Sequence, residues 1–258
     1  MPALLAVLFL GHALADLSII MDSGEDEAEA HEYLVSGDRM RVTQGEEMDL
    51  LLLCEAGEFA WLIPEAEVYW QGTPRELIEE FDELLEALRD EDGVVSLAPL
   101  FAEDRTGNTP VRVTSQGQDE ILGYAAEEYL IEYEQDGDWH THENVWVAPE
   151  LLREIEEETG GCMALLDDTL LSMVAVLIGD FLLEEDDMGW RWDVMTAPEY
   201  REVAASGFPV KNHSSEEQFG VTIEATAEVT GISTDALPED LFRIPETYTR
   251  LGLLELAQ

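Results

Sequence analysis

The stretch FGVTIEATAEVTGIS, residues 219–233, alternates apolar and polar residues with a period of two. Val221, Ile223, Ala225, Ala227 and Val229 fall on one side of an extended chain. Thr222, Glu224, Thr226 and Glu228 fall on the other. One apolar face and one wet face describe a strand of an antiparallel sheet that is packed on one side and solvated on the other.

Similar patterns recur towards the N-terminus. DLSIIMDS and HEYLVSGDRMRVTQGEEMDLLLLCEAGEFAWLIPEAEVYWQ hold runs of strand length. Turn signals at Gly37-Asp38, Gly45-Glu46 and Glu55–Glu58 break them into a β-meander. Phe59, Trp61 and Ile63 share one face. In GDRMRV, Arg39 and Arg41 project to one side and Met40 and Val42 to the other. The two cations are expected to relieve an acidic neighbouring strand, with the Glu46/Glu47 arm as candidate. An anion clamp for a lipid headgroup is the less favoured use of the pair.

TPRELIEEFDELLEALRDEDG reads as a helix. Thr73 caps it, Pro74 fits the first turn, and Leu77, Ile78, Phe81, Leu84, Leu85 and Leu88 form one stripe. Strands return in TPVRVTSQGQDEILGYAAEEYLIEYEQDGDWHTHENVWVAPELL, where Asp136-Gly137 is a hairpin signal. A two-residue turn there pairs Tyr133 with His140 and Ile131 with His142. That register puts both histidines and Trp146 on the face of Tyr129, Ile131 and Tyr133. From Pro149 to about residue 204 the pattern is helical. Its second helix is strongly apolar, with Asp167, Asp168 and Asp180 inside, and its uncharged run is too short to span a bilayer. Gly207-Phe208-Pro209 restarts the sheet, and a short helical turn is expected at Pro238–Phe242.

Composition narrows the setting. Twelve basic residues face 59 acidic ones, for a net charge of −47 over 258 residues. Eleven of the twelve are Arg, and Lys211 is the single lysine. With 46% hydrophobic residues and six Trp, this is a packed chain and not a disordered polyanion. An acidic, lysine-poor surface suits a salt-adapted organism, where the screening length falls to roughly 3 Å near 1 M salt. A sequence-independent grip on nucleic acid is excluded, because it needs a basic stripe. MPALLAVLFLGHALADLS opens with a short apolar run and an Ala13-Leu14-Ala15 cleavage pattern, although no cation precedes the run. Export to the periplasm or beyond is expected, with residues 1–15 as leader and 16–258 as one domain. In such a compartment Cys54 and Cys162 could pair, or both could remain buried thiols.

Motifs for chemistry are sparse. His140 and His142 form the one local pair with metal-ligand spacing on a strand, and Glu143 falls on the opposite face from them. A third ligand from His31 or His213 is not indicated, so no metal and no other cofactor is assigned. The chain has no GxSxG, GxGxxG or P-loop, and its many carboxylates carry no glycosidase signal.

The order of these signals is familiar: leader, strand, GDRMRV, the hairpin ending WLIPEAEVYW, an amphipathic helix, ILGYAAEEYLIEY, ENVWVAPELL, helices, GFPV, an alternating strand and LPEDLFRIPETY. It resembles the domain-of-unknown-function 4412 family of bacterial envelope proteins, which is similar in fold to LolA-like periplasmic lipoprotein carriers. The resemblance implies an α+β fold, a curved antiparallel half-barrel with helices across its concave face and a hydrophobic cavity between. The helical segment at about 149–204 is longer than a minimal member needs. Tyr129, Ile131, Tyr133, Trp146, Val221, Ile223 and Ala225 are expected to line the cavity, under the helix around Leu170–Leu177. The implied function is non-enzymatic binding of a hydrophobic ligand, a lipid or a lipoprotein acyl chain. The alternatives are an interaction protein with a filled core and, less favoured, a metal-dependent hydrolase using His140 and His142.

Overall fold

The computed structural model describes residues 16–22, 30–45, 48–87, 109–181, 189–218 and 221–256. The expected leader, the Glu46/Glu47 arm and Leu88 lie outside them. The strands are β1 (Leu17–Asp22), β2 (His31–Ser36), β3 (Arg39–Gln44), β4 (Met48–Leu53), β5 (Glu58–Ile63), β6 (Val68–Gly72), β7 (Val111–Ile121), β8 (Tyr124–Gln135), β9 (Asp138–Ala148), β10 (Phe208–Gln218), β11 (Val221–Ser233) and β12 (Thr249–Arg250). The helices are α1 (Pro74–Ala87), α2 (Pro149–Thr159), α3 (Cys162–Phe181), α4 (Gly189–Thr196), α5 (Pro198–Ala204) and α6 (Leu253–Leu256).

Two meanders, β1–β6 and β7–β11, make one sheet because β1 pairs with β11. All pairings are antiparallel except β12 against β6. The order β12-β6-β5-β4-β3-β2-β1-β11-β10-β9-β8-β7 does not close. This is the α+β half-barrel expected. Its curvature is visible in one contact. Tyr33 of β2 and Phe208 of β10 meet edge to face at 5.2 Å, with β1 and β11 between their strands. A flat sheet would hold those strands about 14 Å apart.

The largest core gathers Leu17, Ile19, Val35, Met40, Val42, Leu50, Leu52, Phe59 and Trp70 from the sheet. Leu77 and Phe81 of α1, Leu151 and Ile155 of α2, and Cys162 and Leu166 of α3 pack on them. Local chemistry sets α1. The Glu76 N–H donates to the Thr73 hydroxyl, and the Thr73 N–H donates back to the Glu76 carboxylate, a reciprocal capping box. Cys54, in the turn after β4, is disulfide-bonded to Cys162, the first residue of α3, with Cα atoms 5.0 Å apart. That pairing answers the question the sequence left open.

The other face of β2–β5 carries Leu34, Leu51, Ala60 and Leu62 under Phe242 and the segment around it. This C-terminal strap includes a 3₁₀ turn at Glu239–Phe242, as the sequence suggests. Arg39 and Arg41 lie on this face, while Met40 and Val42 enter the largest core. Arg41 finds its acid on the neighbouring strand β4, as expected, and Arg39 finds its acid on the strap, while Glu46 and Glu47 lie outside the described residues. Arg39 forms a fork with Glu239, and Arg41 holds both oxygens of Asp49 and donates to the Leu241 carbonyl.

Candidate functional site

A third cluster sits on β8 and β9. Tyr129, Ile131 and Tyr133 share a face by alternation, with Val145 and Val147 beside them and Val111 and Val113 from β7. Val194 of α4 and Val203 and Tyr200 of α5 cover them. The cover is tied to the segment before β7. Asp193 of α4 accepts from the N–H and hydroxyl of Thr109, just before β7. At its far end Gly207 meets the turn from β9 into α2 so closely that a Cβ there would stand 2.8 Å from the Ala148 carbonyl carbon. Glycine is required for the helical block to rejoin the sheet.

The hairpin turn is as expected. Asp136 and Gly137 both have positive φ, at 58° and 89°, and Tyr133 pairs with His140. Beyond it the expected register fails. A bulge between Ile131 and Glu132 sets Glu132 opposite Thr141 and Ile131 opposite Glu143, so His142 is the extra residue. Each later side chain of β9 therefore changes face. Glu143 and Val145 join Ile131 and Tyr129, and Trp146 goes to the other side. There Trp146 packs against the largest core and lies under the Lys211 ammonium, 5.4 Å from its ring centroid. Trp146 thus does not share a face with Tyr129, Ile131 and Tyr133. The expected cover is corrected as well. Leu166, Leu170 and Met173 of α3 pack on the largest core, the side chains of residues 174–177 lie outside the described residues, and among the described residues α4 and α5 cover this cluster.

Two rows of register partners run from this cluster to β11. Tyr129, Val145, Asn212 and Ala227 form one, and Ile131, Glu143, Ser214 and Ala225 the next. Ala225 therefore shares the face of Ile131. Val221 and Ile223 are on the same strand, paired with Gln218 and Glu216, and their side chains lie outside the described residues. Exposure rises along the second row. Ile131 is 1% exposed, Glu143 and Ser214 are half-buried, and Ala225 is exposed.

Glu143 is the one carboxyl of that row. Burial raises its pKa, and a hydrogen bond from the Tyr200 hydroxyl opposes the shift. The Tyr200 hydroxyl is pushed up in turn, first by burial and then by the charge of Glu143 and its hydrogen bond, with Asp167 adding to the effect. Asp167 of α3 is raised to about 6 by burial, against the pull of Arg201 and with Asp168 and Glu156 pushing it further. Arg201 of α5 approaches Asp168 at 3.9 Å, linking α5 to α3. The sequence placed Asp167 inside an apolar helix but offered no sign of its neighbours. Glu143 was assigned to the wrong face because the bulge carries no glycine or proline to mark it.

Both histidine rings lie against tyrosines. His140 stacks on Tyr133 at 5.5 Å, and His142 meets the edge of Tyr200 at 6.1 Å. Among the described residues no three His, Cys, Asp or Glu side chains converge as a metal site would need.

No family model and no curated protein matches the chain. Among solved structures it is similar to the LolA superfamily protein NE2245 from Nitrosomonas europaea, at 8% identity and a TM-score of 0.19, over 89% of this chain and 88% of that one. It is also similar to a domain from Vibrio parahaemolyticus named for outer membrane lipoprotein sorting, at 6% identity and a TM-score of 0.19, over 88% and 87%. At TM-scores this low the likeness carries no functional weight.

Proposed function

We propose that the protein is a non-enzymatic binder of a hydrophobic ligand, a lipid or the acyl chain of a lipidated partner, exported to the envelope of a salt-adapted bacterium. Residues 1–15 are its leader. Residues 16–258 form its single domain, with 149–204 as a helical insertion. The observation that supports this best is the row Ile131–Glu143–Ser214–Ala225. It is covered by α4 and α5 at one end, and its apolar last member, Ala225, is left in water. An acyl chain laid along the face from β11 towards Tyr129 would bury that surface at about 0.8 kcal/mol per methylene before ordering costs. Tyr129, Ile131, Tyr133 and Ala225, with Val221 and Ile223 beside Ala225 in sequence, are the residues assigned to it. Trp146 is left out because it faces the other way.

The second reading is an interaction protein whose interior is already full. Ile131 and Tyr133 are 1% and 8% exposed against Val194 and Val203, which favours it locally. Titration of the full chain with a fluorescent acyl probe, in about 2 M salt to screen self-repulsion, separates the two. Binding should weaken by roughly tenfold or more in Ala225→Glu, since a charge at the mouth must be desolvated. It should persist in Arg39→Ala, whose partner Glu239 is on the strap. A folded native protein that takes up no probe and purifies without lipid would decide for the filled core.

A further inference from the structure

We infer that the protein pairs with a second copy of itself along β7, antiparallel and edge to edge. The strand order leaves β12 and β7 at the ends of the sheet. Strand β12 has two residues, too few to invite a partner. Strand β7 has eleven, of which 114–120 are exposed. Its outward groups can be named. The Glu134 N–H donates to the Pro110 carbonyl, so the ladder to β8 is bonded at Pro110 and, by alternation, at Arg112 and Thr114. The N–H and C=O of Val111, Val113 and Ser115 therefore point away from β8. At the other end, the two-residue turn Leu122-Gly123, both at positive φ, makes Ile121 and Tyr124 a bonded pair. Between that pair and the bulge at Ser115/Gly117, Gln118 and Glu120 are the outward residues. The Glu120 N–H agrees with this, since it donates to the Asp119 carboxylate beside it at 2.8 Å.

Charge selects the occupant. In a chain of net charge −47, the stretch from Thr109 to Gln118 contains no acid and one cation, Arg112. That guanidinium is forked on Glu132 of β8 and lies 4.2 Å from the Trp139 ring centroid. An edge free of unmatched like charge is where a second polyanion can approach. A two-fold axis between Ser115 and Gln116 brings outward groups to outward groups. Val113 then pairs with Gln118 of the second copy, and Val111 with its Glu120. Between these, Arg112 and the second copy's Asp119 stand opposite each other on one face, with Cα atoms about 4.5 Å apart. The Glu120 N–H passes from the Asp119 carboxylate to the Val111 carbonyl of the other chain. The freed carboxylate receives the Arg112 Nη1, which the fork on Glu132 does not use. A slip of one residue would set groups already bonded to β8 against outward ones. The bulge falls on the axis and leaves a regular ladder on each side of it.

The test is the mass of the full chain by analytical ultracentrifugation, in about 2 M salt, where repulsion between two chains is screened. Across roughly a hundredfold range of concentration the native protein should approach twice the 28.9 kDa of one chain. Gln118→Pro removes an outward donor that β8 does not use, and it should weaken the dimer roughly tenfold or more. Asp119→Arg sets two guanidinium groups against each other and should do the same, although it makes each chain less negative. Both positions are exposed, so the melting temperature of each diluted variant should match that of the native monomer. Should Gln118→Pro melt lower, Asp119→Arg decides alone. A dimer that a folded variant leaves unchanged overturns the pairing, because another surface must then hold it. So does a native protein that stays monomeric at the highest concentration, which would leave the edge to an extended segment of a different protein.

Discussion

On the strap side of β2–β5, Arg41 holds both oxygens of Asp49, at 2.8 and 2.6 Å, and its third donor ends on the Leu241 carbonyl. On the covered side of β8 and β9, Glu143 and Asp167 are half-buried against a phenol and other acids, and both are pushed towards their neutral forms. The two regions contain similar amounts of apolar packing and differ in how their charges are settled. Where every donor has its acceptor, the cover belongs permanently to the sheet. Where carboxyls are buried without full compensation, the cover holds a reserve of free energy that a proton or a ligand can release. The strap thus reads as structure, and α4–α5 read as the adjustable part.

Three measurements bear on that contrast. The largest effect should come from the disulfide, which anchors the start of α3 to the β4–β5 turn and closes a loop with a sequence separation of 108. Replacing both cysteines by serine should cost about 4 kcal/mol, read from the denaturant midpoint. A loss below about 1 kcal/mol would mean that the first core holds α3 without it. Next is Arg41→Ala, which leaves Asp49, 8% exposed, without its cation. We expect a loss of about 2–3 kcal/mol, against well under 1 kcal/mol for Arg39→Ala, whose partner Glu239 is exposed. Equal losses would erase the claim that the strap is fixed by its buried charge.

Smaller than the Arg41 loss, and of opposite sign, should be the effect of Asp167→Asn. The folded carboxyl titrates near 6, above its ordinary 3.8. The favourable contribution of the neutral acid is fully present below pH 4 and is lost as pH rises through 6. Native stability should fall across that window, and the Asn variant should lack the fall. It should gain about 1–2 kcal/mol at pH 7 after allowance for solvent screening. A variant whose stability tracks the native protein from pH 4 to 7 would remove the stored strain from α3.

Much of this was legible from residue pattern. The strand β11, the Thr73 cap, the turn at Asp136-Gly137 and the shared side of Arg39 and Arg41 follow from short-range chemistry, and the chain keeps all four. The partner of Arg39 did not follow, because Glu239 is 200 positions away and only the fold brings it there. The sorting of Trp146 and Glu143 failed for a different reason. Period-two reading assumes an unbroken ladder, and one extra residue, His142, inverts every assignment beyond it. Nothing in Thr141–Glu143 differs from an ordinary strand. The covers α4 and α5 were seen as helices but not aimed, since their apolar residues suit any sheet face.

The pairing of β1 with β11 has a consequence for how the molecule comes into being. Ser18 lies opposite Ser233, and the Leu237 N–H donates to the Asp16 carboxylate across 221 positions of chain. Strand β1 must wait for β11. Until residue 233 is available, one edge of Leu17–Asp22 is an open ladder bearing Ile19, Ile20 and Met21. Joining the halves closes a very long loop, so the step is intrinsically slow. During that interval edge-to-edge association with another unfinished chain competes with folding. A slow junction here is expected to lower how much newly made protein reaches the native state.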